Sequence, residues 1–74
     1  MNKIPVKVEC KTDHDGEYVP KVIIFEDGRS FEVSRVLYYS SSYTGEYEGI
    51  RYTILIGSAE RYIYRVGHDW FVRA

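Results

Sequence analysis

Two short turns carry the residue types that acid–base or metal chemistry requires. In the segment 13–16, His14 lies between two aspartates and precedes a glycine. This order contains part of the pattern of a calcium-binding loop, but the later ligands and the terminal glutamate of such a loop are missing. His68 and Asp69 form the second group, yet adjacency along the chain does not give the geometry of a catalytic pair, and no activated nucleophile accompanies them. Both segments are therefore interpreted as polar surface turns.

The other reactive groups are equally sparse. Cys10 is the only cysteine, so no disulfide forms within the chain, and with two histidines it offers too few ligands for a zinc site. It falls on the apolar side of an alternating segment and is interpreted as a small core residue. Gly45 and Gly49 enclose two glutamates, which would repel a phosphate group. The sequence therefore predicts no catalytic residue, no metal site and no cofactor, and we expect that the protein is not an enzyme.

The size and charge of the chain narrow the function further. Its 74 residues are expected to form one small domain, residues 1–74. Ten basic and eleven acidic side chains give a formal net charge of −1, whereas domains that bind duplex DNA usually carry a basic excess. No run of about 18 apolar residues is present to span a membrane. The single cysteine and the absence of a signal-peptide pattern lead us to expect a cytoplasmic protein.

Alternation of apolar and polar residues runs through the chain, and helical periodicity is missing. A first strand is predicted from Ile4 to Lys11. A hairpin follows, in which Asp27-Gly28 forms a two-residue type I′ turn and Ile24 lies opposite Phe31. The third strand is expected to extend or bend through the segment 35–38. Later strands are predicted over residues 50–56, 61–66 and 70–72.

Five to six short antiparallel strands joined by tight turns are typical of a small barrel or roll. We therefore predict an all-β domain, a single small barrel or roll that is Src-homology-3-like in shape. The expected core consists of five apolar side chains: Ile24, Phe31, Val33, Ile54 and Trp70.

Two groups of side chains are interpreted as a surface for a binding partner. The segment 39–49 is predicted to be a long polar loop, whose tyrosines would be available to stack on a peptide or a base. The residues nominated from it are Tyr39, Tyr43 and Tyr47. If Tyr62 and Tyr64 point inward, three arginines converge on the outside of the later strands, namely Arg51, Arg61 and Arg65. Each group also has an ordinary explanation, the tyrosines as a lid on the core and the arginines as the solvated face of a sheet.

Four short motifs extend over nearly the whole chain: Asp27-Gly28-Arg29, Arg35-Val36, Gly49-Ile50-Arg51-Tyr52-Thr53 and Trp70-Phe71-Val72. Together they resemble a group of small uncharacterised bacterial β proteins of Gram-positive type. The resemblance implies a compact β-barrel with no assigned activity, and it supplies no catalytic residue.

The function that fits these observations is a non-catalytic protein-interaction module, with another protein as the expected partner and no membrane association. The alternative is a small nucleic-acid-binding barrel, in which the arginines contact phosphates and the tyrosines stack on bases. Salt dependence separates the two, because phosphate contacts weaken steeply as the salt concentration rises.

Overall fold

The computed structural model describes residues 3–41 and 49–73, which form an all-β domain as predicted. Within these residues there are seven strands and no helix, and hence no helix that could cross a membrane. β5 coincides with the predicted strand 50–56, whereas the segment after Ser34 forms a strand of its own, which raises the count above six. The strands are β1 (Lys3–Thr12), β2 (Tyr18–Phe25), β3 (Ser30–Glu32), β4 (Arg35–Ser41), β5 (Ile50–Ile56), β6 (Ala59–Val66) and β7 (Asp69–Arg73).

All seven strands belong to one antiparallel sheet, in the order β3-β2-β1-β7-β6-β5-β4. Every pair of neighbours in this order is also consecutive in the sequence, except β1 and β7. These two strands pair in the register that runs from Lys3 opposite Arg73 to Val6 opposite Trp70. β3 and β4 stand at opposite edges of the sheet although only two residues join them. The sheet therefore curls into a half-barrel, so that this short connection can reach both edges.

The connection between β3 and β4 bonds to both halves of the curled sheet. The N–H of Val33 donates to the carbonyl of Lys21 in β2, and the N–H of Ser34 donates to the carbonyl of Leu55 in β5, each at 2.8 Å. Because every pairing is antiparallel, β3 and β4 run in the same direction. They are two parts of one bent run of chain, as the predicted bending of the third strand indicates.

The hairpin between β2 and β3 has a three-residue loop in place of the predicted two-residue turn. The N–H of Phe25 donates to the carbonyl of Arg29 at 2.8 Å, and the N–H of Gly28 donates back to the carbonyl of Phe25 at 3.0 Å. Gly28 has a φ of +92°, and among the described residues only glycines have positive φ. A type I′ turn needs positive φ at Asp27 as well, so that prediction is wrong. A type I turn followed by a left-handed glycine is the usual form of a three-residue loop.

The longer loop shifts the register by one residue, so the residues of β2 that share a face with Phe31 are different from the predicted ones. Ile23 now lies opposite Phe31, and Ile24 lies opposite Ser30. Ile23 is accordingly buried, Ile24 is only half-buried, and Phe31 retains 36% of its exposure at the sheet edge. The prediction that Ile24 and Phe31 form the core is therefore wrong.

The core lies on the concave side of the half-barrel, on the face that we call the core face. Ile54 is fully buried there, as predicted, while Val33 and Trp70 are half-buried and pack around it. The central residues of this face are Val6, Ile23, Tyr52, Ile54 and Ile63. The opposite side of the sheet is called the outer face below.

One glycine sits where the backbone leaves no room for a side chain. Gly49 immediately precedes β5 and has a φ of +74°. A Cβ atom at this position would overlap the carbonyl oxygen of Arg65 and lie 2.9 Å from Cγ2 of Val66. Gly49 therefore allows the start of β5 to approach the end of β6 closely.

Candidate partner-binding surface

The tyrosine group is only partly within the described residues. Tyr43 and Tyr47 lie outside them. Tyr39 was predicted to lie in a loop, but it lies in β4, where it is paired with Tyr52. Its ring lies 5.5 Å from the ring of Tyr52, between centroids, and retains 52% of its exposure. Tyr39 thus covers one end of the core face while presenting an edge to the surface.

The three nominated arginines do not converge, because β6 has the opposite orientation from the predicted one. A two-residue turn at Gly57 and Ser58 places Ile56 opposite Ala59, and the register then sets Ile54 opposite Arg61. Residues that face each other across two strands share one side of the sheet. Arg61 and Arg65 therefore lie on the core side of β6, and Arg51 lies on the outer face with Tyr62 and Tyr64. The prediction of one arginine cluster is wrong for this reason.

Arg65 is half-buried and is held in place by its neighbours. Its Nε donates to the hydroxyl of Tyr52 at 3.2 Å, and its Nη1 donates to the carbonyl of Gly67 at 3.0 Å. Its guanidinium also lies over the rings of Tyr18 and Trp70, 5.2 and 5.8 Å from their centroids. These contacts make Arg65 a polar support for the aromatic end of the core.

Arg51 belongs to an aromatic layer on the outer face. Its guanidinium lies 4.5 Å from the ring centroid of Tyr62, a side chain that keeps 45% of its exposure. Beside it, the rings of Tyr64 and Phe71 stack at 5.2 Å with an angle of 9° between their planes. Lys3 and Arg73 cover these two rings, each at 4.8 Å from a centroid. The outer face is therefore coated by cations that lie on aromatic rings.

A cleft opens where β6 and β7 separate. β7 pairs with β6 only from Asp69 to Phe71, whereas its pairing with β1 runs from Trp70 to Arg73. The first part of β6, residues 59–63, consequently has β5 as its one strand partner within the described chain. We call this stretch the free edge of β6.

The cleft lies between this free edge and the β2–β3 hairpin and has a volume of about 920 Å³. Its floor is apolar, since side chains of the core face reach it through the gap. The apolar lining includes Ile23, Phe25, Phe31, Ile56, Ile63 and Val72. The charged lining consists of Arg29, Arg51, Arg61, Arg73 and Glu60, so arginines outnumber acidic groups although the chain as a whole is slightly acidic.

Among the nominated residues that the structure describes, only Arg61 lies at the free edge itself. Its side chain is exposed, and its Nη1 donates to the carbonyl of the preceding residue, Glu60, at 2.8 Å. This bond keeps the guanidinium alongside the strand. The β2–β3 hairpin contributes cleft residues that the sequence did not nominate, and Phe25 and Phe31 among them meet edge to face, with 5.7 Å between ring centroids.

The hairpin wall of the cleft is stabilised by Asp27. Its Oδ1 accepts the backbone N–H of Arg29 at 3.0 Å, and its Oδ2 accepts Nε of the same residue at 2.7 Å. The guanidinium of Arg29 then lies 5.2 Å from the ring centroid of Phe25. The backbone hydrogen bond first, and the guanidinium bond and charge of Arg29 after it, hold the pKa of Asp27 below its ordinary value.

This arrangement predicts a pH dependence that can be measured at a single carboxyl group. The pKa of Asp27, followed by NMR, is expected to lie below the ordinary value of 3.8. Because the folded pKa is below the unfolded one, the ionised group favours the fold above the unfolded value, and this contribution disappears as the pH falls through the folded value. Arg29→Ala should leave part of the lowering, since the backbone N–H remains. A pKa at or above 3.8 in the folded protein would show that Asp27 does not hold the hairpin in solution.

Cys10 and the acidic turn at residues 13–16 are in surroundings that fit a role in the fold and not in chemistry. Burial raises the pKa of the Cys10 thiol, against a smaller lowering by the charge of Arg65, so the nucleophilic thiolate is disfavoured. In the 13–16 turn, Oδ1 of Asp13 accepts the backbone N–H groups of Asp15 and Glu17 at 2.9 and 3.0 Å. No group of three or more metal-ligating side chains occurs among residues 3–41 and 49–73.

The fold and this surface define the class of the molecule: a small curled antiparallel sheet with an arginine-bordered apolar cleft. Comparison with protein-family models, with curated proteins and with solved structures finds no match to this chain. The likeness to small bacterial β proteins of Gram-positive type therefore stays a prediction.

Proposed function

We propose that this chain is a non-catalytic protein-interaction module that receives a partner protein in the cleft beside β6. The observation that supports the proposal is the coincidence, at one place, of a strand edge that has no partner within residues 3–41 and 49–73 and a cleft with an apolar lining. Exposed apolar clefts and free edges expose a small domain to aggregation and are characteristic of interaction sites. The proposal includes a cytoplasmic location and a Src-homology-3-like use of a small barrel as a binding scaffold.

The proposal is tested by one substitution in the cleft and one matched substitution outside it. Phe31 and Leu37 are both large apolar residues on short edge strands, with exposures of 36% and 37%, but only Phe31 lines the cleft. We expect Phe31→Glu to abolish the capture of specific proteins from a nuclease-treated lysate of the source cells. Leu37→Glu should leave that capture intact, and circular dichroism confirms that both variants are folded. Equal capture by both variants, or capture of no protein by the unaltered chain, would contradict the proposal.

A nucleic-acid-binding function is the second candidate, and the outer face favours it. Tyr38 and Tyr62 lie on either side of Thr53 in neighbouring strands and keep 55% and 45% of their exposure. With Arg51 over Tyr62, this surface combines rings for base stacking with a charge for phosphate. Capture that disappears after nuclease treatment, together with a single-strand affinity that falls steeply with salt and is lost in Tyr62→Ala, would favour this function.

A further inference from the structure

The free edge of β6 has the dimensions of a binding site for one more strand. Its five residues, 59–63, extend over about 17 Å, the length of an ordinary short strand. The edge is open because β7 leaves β6 after Phe71 and turns toward β1, which produces a wedge-shaped gap in the sheet. β7 supplies backbone hydrogen-bond partners to Tyr64, Arg65 and Val66. An extended segment placed in the wedge would supply equivalent partners to residues 59–63.

The two sides of the wedge differ in chemistry. On the core side, an added strand meets apolar groups, including Phe25, Phe31 and Ile63. On the outer side, it meets the cation-covered rings near Arg51 and Arg73. Side chains of a strand alternate between its two sides. A segment in which apolar and polar residues alternate therefore matches both sides at once.

The charges of the cleft select the polar residues of that segment. Among the described residues that line the cleft there are four arginines and one acidic residue, Glu60. Arg61 lies along the edge, where its guanidinium is within reach of any strand added there. Positive charge around an apolar groove is complementary to carboxylates and opposes a basic segment.

We propose that the free edge of β6 binds an extended acidic peptide segment of a partner protein, which joins the sheet as an additional strand beside residues 59–63. The proposal rests on the interaction-module function and names the chemistry of its partner. The segment alternates apolar residues, which enter the cleft, with aspartate or glutamate, which meet the arginines. Backbone hydrogen bonds supply binding, and the apolar cleft and the arginines supply selectivity.

The test uses the full chain and a defined probe, a blocked fluorescent peptide of about eight residues in which glutamate alternates with valine. Fluorescence anisotropy should show saturable binding that weakens with salt, and a peptide with lysine in place of glutamate should not bind. Arg61→Glu should weaken binding about tenfold or more, and Arg61→Gln less. Arg35→Glu and Arg35→Gln are the controls, because Arg35 is exposed on β4 and does not line the cleft.

Strand addition is separated from docking of side chains alone by two isomeric peptides. One is N-methylated on its valines and the other on its glutamates, so each has lost the hydrogen-bond donors of one strand edge. An added strand bonds through one edge, so one isomer should lose binding and the other should retain it. Amide exchange of residues 59–63 should slow in the complex.

Four results would overturn the proposal. Equal loss of binding by both isomers would exclude strand addition. Protection of the 59–63 amides in a concentration-dependent dimer without peptide would assign the edge to a second copy of this chain. Displacement of the glutamate peptide by a single-stranded oligonucleotide would assign the cleft to nucleic acid. If the peptide fails to bind while Phe31→Glu still abolishes protein capture, the strand-addition proposal fails and the interaction-module function stands.

Discussion

Replacement of Ile54 by alanine is expected to lower the free energy of unfolding by about 2–5 kcal/mol. Ile54 is fully buried in β5 at the centre of the core face, and its loss removes apolar contact area and leaves a cavity. A domain of this length has a total stability of about 4–11 kcal/mol, so the loss is a large part of the total. Urea unfolding followed by the fluorescence of Trp70, the only tryptophan, measures the change.

Phe31→Ala is the comparison for this experiment. It removes a larger side chain, but one that lies on a three-residue edge strand and retains 36% of its exposure. We expect it to cost less stability than Ile54→Ala, because exposed apolar area contributes little to folding. A greater loss from Phe31→Ala than from Ile54→Ala would show that Phe31 is more deeply buried in solution than its place at the sheet edge indicates.

Gly49→Ala is the second change with a large expected effect. A left-handed backbone costs a residue with a Cβ about 1–3 kcal/mol. The overlap of that Cβ with the carbonyl of Arg65 and with Val66 adds about 1–3 kcal/mol of overpacking. Because the obstacle is backbone, β5 and β6 must move apart at this end to relieve it. Thermal unfolding should show a marked fall in the melting temperature.

Gly16→Ala provides the matched control. Gly16 has a φ of +80°, close to that of Gly49, but a Cβ at Gly16 would meet no atom within 4 Å. This variant should therefore show the backbone cost alone. If the two variants lose the same stability, the close approach of Gly49 to the end of β6 is not present in solution.

Local patterns in the sequence predicted the strands well. The alternation from Ile50 to Ile56 gave the bounds of β5, and that from Ile4 to Lys11 gave most of β1. Both strands alternate sharply and are bounded by turn residues, so each pattern depends only on its own segment. Glycines also marked the turns, since a positive φ is a property of one residue and is visible in its type.

Which side chains share a face depends on the number of residues in each turn, and here the predictions failed. The loop that contains Gly28 is one residue longer than predicted, and Ile23 therefore lies in the core in place of Ile24. The two-residue turn at Gly57-Ser58 sets Arg61 opposite Ile54. A glycine in the first position is typical of such a turn, so Gly57 was a signal for this register that the prediction did not use. The aromatic rings of Tyr62 and Tyr64 led to the prediction that they face the core, whereas they lie on the outer face. Arg51 and Arg73 cover these rings there, and contacts between side chains of different strands do not appear in a local sequence pattern.

The cleft had no signal in any single segment. It exists because the pairing of β7 with β6 ends at Phe71 while its pairing with β1 continues to Arg73, and β1 and β7 lie at opposite ends of the described chain. Long-range pairing of this kind is a property of the whole sheet. The sequence consequently nominated Arg61 for its residue type but could not place it beside Phe25 and Phe31.

The pairing of β1 with β7 also bears on the order in which the domain folds. The hairpins β1–β2–β3 and β4–β5–β6–β7 contain local contacts only, whereas the contact between Val6 and Trp70 closes a loop of more than sixty residues. Closure of long loops carries an entropic cost that slows folding. During synthesis on the ribosome, Val6 therefore lacks its partner Trp70 until β7 has emerged. We therefore expect the pairing of β1 with β7 to form after the local hairpins on either side of it.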